Sequence, residues 1–230
     1  MIGMHFTNSG SLRAAILGAN DGLVSNFILV MGVSGGIENP QFALLAGIAG
    51  MFAGAFSMAA GEYISMRSQK DIYEYQIEME TLQIKRSPQE AETMLSEIYQ
   101  AKGISREVAI TLAGNVMATP EAALDTVIKE KLGLNPRQLG SPWGASISSF
   151  FSFSIGAFIP IGPYFFLADD SVVPFSFVFS LAALLIVGAA VALFSNKNVF
   201  WGALRMSAAG GSAAAVTFFV GSLIGASIIT

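Results

Sequence analysis

The stretch "LGANDGLVSNFILVMGVSGG", residues 17–36, has the length and apolar content of a membrane span, which takes about 20 helical residues. It also carries one acidic residue, Asp21, and no basic residue that could neutralise it. A charge at such depth costs about 3 kcal/mol on insertion scales, so it faces a protein interior or a wet path. The apolar run around it, 14–36, is the first of five. The others are 42–64, 143–167, 172–194 and 206–229. The last three contain no charged residue, and the second contains only Glu62. This pattern predicts an all-α membrane protein with five transmembrane helices and a helical domain inserted between the second and third. The chain divides into 1–66 (two spans), 67–141 (the insert) and 142–230 (three spans).

Composition agrees with that reading. The 230 residues are 53% hydrophobic and only 12% charged, where soluble domains carry about 25%. There is no cysteine, which removes disulfides, thiolate metal sites and cysteine nucleophiles together. The single histidine, His5, excludes a multi-histidine metal site and a histidine-based triad. A net charge of −4 gives no reason to expect nucleic acid as a partner. The first apolar run has too short a leader, and no cleavage site, for a removable signal peptide.

The insert is punctuated as helices. "SPQEAETMLSEIYQAKG" offers Ser87 as N-cap, Pro88 at the first helical position, Glu90 three residues after the cap and Gly103 as terminator. "TPEAALDTVIKEKLG" repeats that grammar with Thr119, Pro120 and Gly133, and a shorter helix at about 105–116 fits between. From Glu62 to about Lys85 no Pro or Gly interrupts the chain, so the second span continues as one long helix into water.

With five spans, all 12 Lys and Arg residues fall on one side, while the loops "GGIENP" and "ADDSVVP" have none. The positive-inside rule then puts the N-terminus and the insert in the cytoplasm and the C-terminus outside. In the antiparallel second span Met58 lies at the depth of Asp21, and Glu62 one turn nearer the cytoplasm. Met51, Met58, Glu62 and Ser65 share a face. Carboxylates with a thioether suit a softer transition metal such as Fe(II) better than Mg or Ca. A titratable carboxylate also lets metal and proton compete for one oxygen. Each residue has a plainer reading: Met58 as packing, Glu62 as a solvated interfacial acid, Asn20 and Asn26 as interhelical hydrogen-bonding groups. Gly18 and Gly22, with Ala46, Gly50 and Gly54, form small-residue faces for close helix contact. An acidic seam on such a face suggests a homodimer with the path between protomers.

The blocks "LRAAILGANDGLVSNFILVMGVSGG", "GAFSMAAGEYISMRSQKDIY", "IYQAKGIS" and "LGSPWGASISSFFSFSIGAFIPIGPYF" resemble the vacuolar iron transporter family of divalent metal/proton exchangers. The resemblance runs over nearly the whole chain. It implies five spans, a homodimer in the lipid bilayer, and a cytoplasmic three-helix metal-binding domain. It further implies export of Fe(II), often also Mn(II), as substrates in exchange for protons, with no permanently bound cofactor. Asp21 matches the family's pathway aspartate and Met58 its pathway methionine, and Asn26 lies on the same helix. Where some members place a pathway glutamate this chain has Gly50, so Glu62 would have to serve. "MAAGEY" resembles bacterial members with a ferritin-like domain ahead of the membrane part, which points to a bacterial inner membrane. The sequence holds no such domain ahead of the first span, so either the protein lacks it or an N-terminal domain has been removed.

The insert departs further from the family's metal site. Glu80 is kept but its partner position holds Gln83, and "QEAETM" carries Glu90 and Glu92 in shifted spacing. Val127 and Ile128 replace a Met–Met pair. Lys131 precedes Leu132-Gly133-Leu134 and leaves Glu130 one position off. Glu80, Glu92 and Glu130 are therefore the candidate ligands there, while Asp71, Glu74, Glu78 and Glu80 also read as a solvated helix face. The insert is then a dimerisation or gating element. A membrane-anchored metal sensor acting through the insert is the alternative function; it leaves Asp21 unexplained. An intramembrane hydrolase lacks any base beside a nucleophile.

Overall fold

The computed structural model describes residues 10–133, 140–167, 169 and 171–228. Among them five helices are long and apolar enough to cross a membrane. These are α1 (Gly10–Gly36), α2 (Pro40–Arg86), α6 (Pro142–Ile161, extended by a 3-10 turn, Gly162–Phe165), α7 (Val172–Phe194) and α8 (Val199–Ile228). Three shorter helices follow α2: α3 (Pro88–Ala101), α4 (Arg106–Met117) and α5 (Pro120–Leu132). The chain forms two compact units, Met1–Ile64 with Ser141–Thr230, and Ser65–Gly140. His5 lies outside the described residues.

α2 runs unbroken for 47 residues, as the lack of helix breakers after Gly61 predicts, and contributes to both units. It stops at Arg86 because the residue before a proline, here Ser87, is pushed out of the helical region. Ser87 and Thr119 hold the N-cap positions, but neither side chain accepts a capping hydrogen bond. The proline at N1 fixes the entry dihedral by itself. Gly103 and Gly133 both adopt positive φ and end their helices as expected.

The membrane unit is built around α1. Leu23, Phe27, Val30 and Met31 are fully buried, in one cluster with Ile161, Val172, Leu184 and Ala214. Gly18 and Gly22 let α1 lie against the backbone of α6, where a Cβ on Gly18 would sit 2.9 Å from the Ser149 carbonyl. The small-residue face of α1 is thus occupied within the chain, and is not free for contact with a second copy. Polar ties reinforce the packing: Asn26 Nδ2 donates to the Ala157 carbonyl at 2.7 Å, and Ser148 Oγ to that of Ser11 at 2.9 Å. Neutral side chains hydrogen-bonding across helices are the usual polar ties in lipid.

In the second unit α3 and α4 pair through Leu95, Tyr99, Ala109 and Ala113. Ala123, Val127 and Ile128 of α5 are also buried. Val127 and Ile128, singled out in the sequence as replacements for methionines, are core residues.

Candidate functional site

On α1 the exposed residues, turned away from the core, are Arg13, Leu17, Asp21, Ser25 and Leu29. The spacing of four draws one exposed stripe along the helix. Ser25 Oγ donates back to the Asp21 carbonyl at 2.6 Å. Among the described residues the Asp21 carboxylate has neither a cation nor a hydrogen-bond donor.

α2 supplies the neighbouring wall, and its register against α1 is fixed by glycine. A Cβ on Gly50 would lie 3.1 Å from Asn26 Oδ1 and would collide with the Leu29 side chain. Met58 stands eight residues beyond Gly50, and Asp21 eight residues before Leu29. Each step is about 12 Å of helix, so in this antiparallel pair Met58 comes to the level of Asp21. Met58 is half-buried and packs beside Ala55, Phe153 and Ala157. Its side chain therefore belongs to the chain's own packing while Asp21 is exposed.

Glu62 lies nearer the end of α1, its side chain 13% exposed and 3.9 Å from the Arg13 guanidinium. Its Oε2 is buried without a hydrogen bond, a long ion pair rather than a closed one. The Oδ1 atoms of Asn20 and Asn26 are also buried and unpartnered among the described residues. Such orphaned acceptors carry a desolvation cost of about 1–3 kcal/mol each unless water or an ion reaches them. Three such oxygens, Glu62 Oε2 on α2 and Asn20 and Asn26 Oδ1 on α1, are thus found on the same two helices as Asp21 and Met58. Sequence reading missed Arg13 as the partner of Glu62, although Arg13 begins the stripe with period four that contains Asp21.

In the second unit the three candidate ligands are separated. Glu80 is buried and ion-paired with Lys131 Nζ at 2.7 Å, which also contacts Gln83 at 3.4 Å. The solvated-face reading holds for Asp71 and Glu74, paired with Arg67 and Lys70 one turn away, and fails for Glu80. Burial by α5 makes the difference, since the lysine comes from that helix. Glu130 is held by Lys102. Glu92 lines an open cleft of about 460 Å³ with Glu97 and Arg106. Among the described residues no three His, Cys, Asp or Glu side chains gather as a metal cluster. Tyr99 is pushed above the usual phenol value, first by burial and then by the Glu130 carboxylate, with Lys102 opposing.

Five apolar helices beside an unpartnered intramembrane carboxylate define a multi-span membrane protein with a candidate ion path. Residues 12–222 match the VIT family, and the chain belongs to that family. It is 35% identical to a vacuolar iron transporter of Acanthamoeba castellanii, over 94% of this chain and 79% of that protein. It is 32% identical to a vacuolar iron transporter of Centaurea cyanus (93% and 88% covered) and 30% identical to vacuolar iron transporter 1 of Arabidopsis thaliana (96% and 88%).

Proposed function

We propose that the protein is a secondary transporter that moves Fe(II), and Mn(II) with it, out of the cytoplasm in exchange for protons. The observation that carries this reading is Asp21: a carboxylate on the exposed stripe of a membrane helix, level with Met58 and without a partner. Facing lipid it would be costly, so a second copy of the chain covers the stripe and the path lies between protomers. There the two Asp21 carboxylates offer oxygen ligands to Fe(II) or Mn(II) as substrate, and Met58, half-buried at the same level, adds a softer thioether only by turning out of its packing. Metal and proton compete for the same carboxylate oxygens, which couples metal entry to proton release. Asn26, Asn20 and Glu62 extend the oxygen lining toward the end of the spans where Arg13 lies.

The positive-inside bias supports a cytoplasmic N-terminus and insert, with the C-terminus outside. The relatives' printed names support iron as cargo. Lysines on Glu80 and Glu130 count against the insert as a metal sensor. The test is metal-driven proton movement in proteoliposomes containing a pH-sensitive dye. Fe(II) or Mn(II) entering the vesicles should drive protons out of them in the wild type and fail to do so in Asp21→Asn. Equal coupled flux in that variant would overturn the proposal.

A further inference from the structure

The chain between α7 and α8 is a four-residue turn of defined shape. Asn196 takes a left-handed φ of 51°, the Lys197 N–H donates to the Ala192 carbonyl at 2.9 Å, and Asn198 Oδ1 accepts the Trp201 N–H at 3.2 Å. Behind the turn the helices approach over glycine: a Cβ on Gly188 would lie 2.8 Å from the Gly202 carbonyl. A cleft of about 820 Å³ remains between them, with small apolar residues at its floor and Lys197, Asn198 and Arg205 at its rim.

The charge of this cleft is unbalanced. Arg13, Arg67, Lys70, Lys102, Lys129 and Lys131 each have a carboxylate partner. Among the described residues Lys85, Arg86 and Arg106 of the second unit have none, and neither do Lys197 and Arg205, for which the sequence holds no Asp or Glu after Asp170. Arg205 is six residues past the start of α8, about 9 Å into an apolar helix, where a guanidinium is costly unless it bends toward the headgroups and meets an anion. Phe200 and Trp201 are exposed on the same turn, as aromatic residues at headgroup level are.

We propose that this cleft binds one anionic phospholipid, with its phosphate between Lys197 and Arg205 and an acyl chain along the groove over Gly188 and Gly202. Two cations without protein counter-charges at the mouth of an apolar interhelical groove match a headgroup with its tail, where a free anion would use only the rim. The inference is independent of transport, because lipid retention is read without metal.

Native mass spectrometry of the full chain, released from micelles supplied with phosphatidylglycerol or phosphatidylcholine, tests it. The wild type should retain one phosphatidylglycerol per chain in preference to phosphatidylcholine. Lys197→Gln/Arg205→Gln should weaken that retention about thirty-fold, from the contributions of two basic residues near a membrane surface. Lys85→Gln, which removes an exposed cation of the second unit, should leave it unchanged. Equal retention of both lipids, or full retention by the double variant, would overturn the proposal. So would displacement of the lipid by an equal concentration of inorganic phosphate, which would make the site one for a free anion.

Discussion

Asp21 in the membrane unit and Glu80 in the insert are both carboxylates at positions the sequence flags for metal, and the fold treats them in opposite ways. Glu80 is buried against α5 and ion-paired with Lys131. Asp21 sits where desolvation is most costly and is given no partner among the described residues. A carboxylate beside a tethered ammonium needs no metal. A bare one inside an apolar helix lacks that counter-charge among the described residues. The contrast separates a carboxylate that the fold leaves open from one that the chain itself neutralises.

The largest effect should come from removing the bare charge. Asp21→Asn should lower metal-driven proton flux in proteoliposomes about a hundredfold, the loss of roughly 3 kcal/mol of interaction with a charged group. Asp21→Glu should keep part of it. If Asn and Glu behave alike, the charge is not what matters and the contrast with Glu80 fails. Next comes the surface that holds α1 in place. Gly22→Leu drives a side chain into the α6 backbone at Phe153, and should lower stability by about 3 kcal/mol or prevent folding. Gly61→Ala, where a Cβ meets nothing within 4 Å, should change stability little. A smaller change is expected in the insert. Lys131→Met should strand Glu80 as a buried unpaired acid, costing about 1–3 kcal/mol in thermal unfolding and leaving the metal selectivity of flux unchanged. A change in selectivity would mean that the insert takes part in loading.

The five spans, the long second helix and the insert's helix ends were legible in the sequence because apolar length, Pro at N1 and Gly at the C-terminus are local signals. Asp21 was legible for the same reason, since a charge inside an apolar run needs no partner to stand out. The small-residue faces could be seen, but their use could not. Gly18 and Gly22 serve α6 within the same chain, and that choice depends on tertiary pairing that spacing does not encode. Glu80 was misread as solvated because the residue that buries it lies 51 positions away on α5. The Arg13–Glu62 pair escaped for the same reason, each member looking like a separate boundary charge.

The smallest effect is also the most local. Tyr99 lies against α4 with Glu130 and Lys102 acting on its hydroxyl, and burial with the Glu130 charge raises its pKa above the ordinary 10.0. A tyrosine whose folded pKa is raised gives stability that is fully present below the unfolded value. That stability is lost as pH rises through the folded one. The insert should therefore hold its helices up to about pH 10 and weaken above it. Phenolate absorbance, taken as the difference between wild type and Tyr99→Phe, isolates this residue from the other four tyrosines. Glu130→Gln should move its midpoint down toward the ordinary value, and Lys102→Gln should move it up. Should both substitutions leave the midpoint in place, the Lys102–Glu130 pair is not held in solution. The insert's acids would then be less firmly neutralised than Glu80 beside Lys131 implies, and the contrast with Asp21 would narrow.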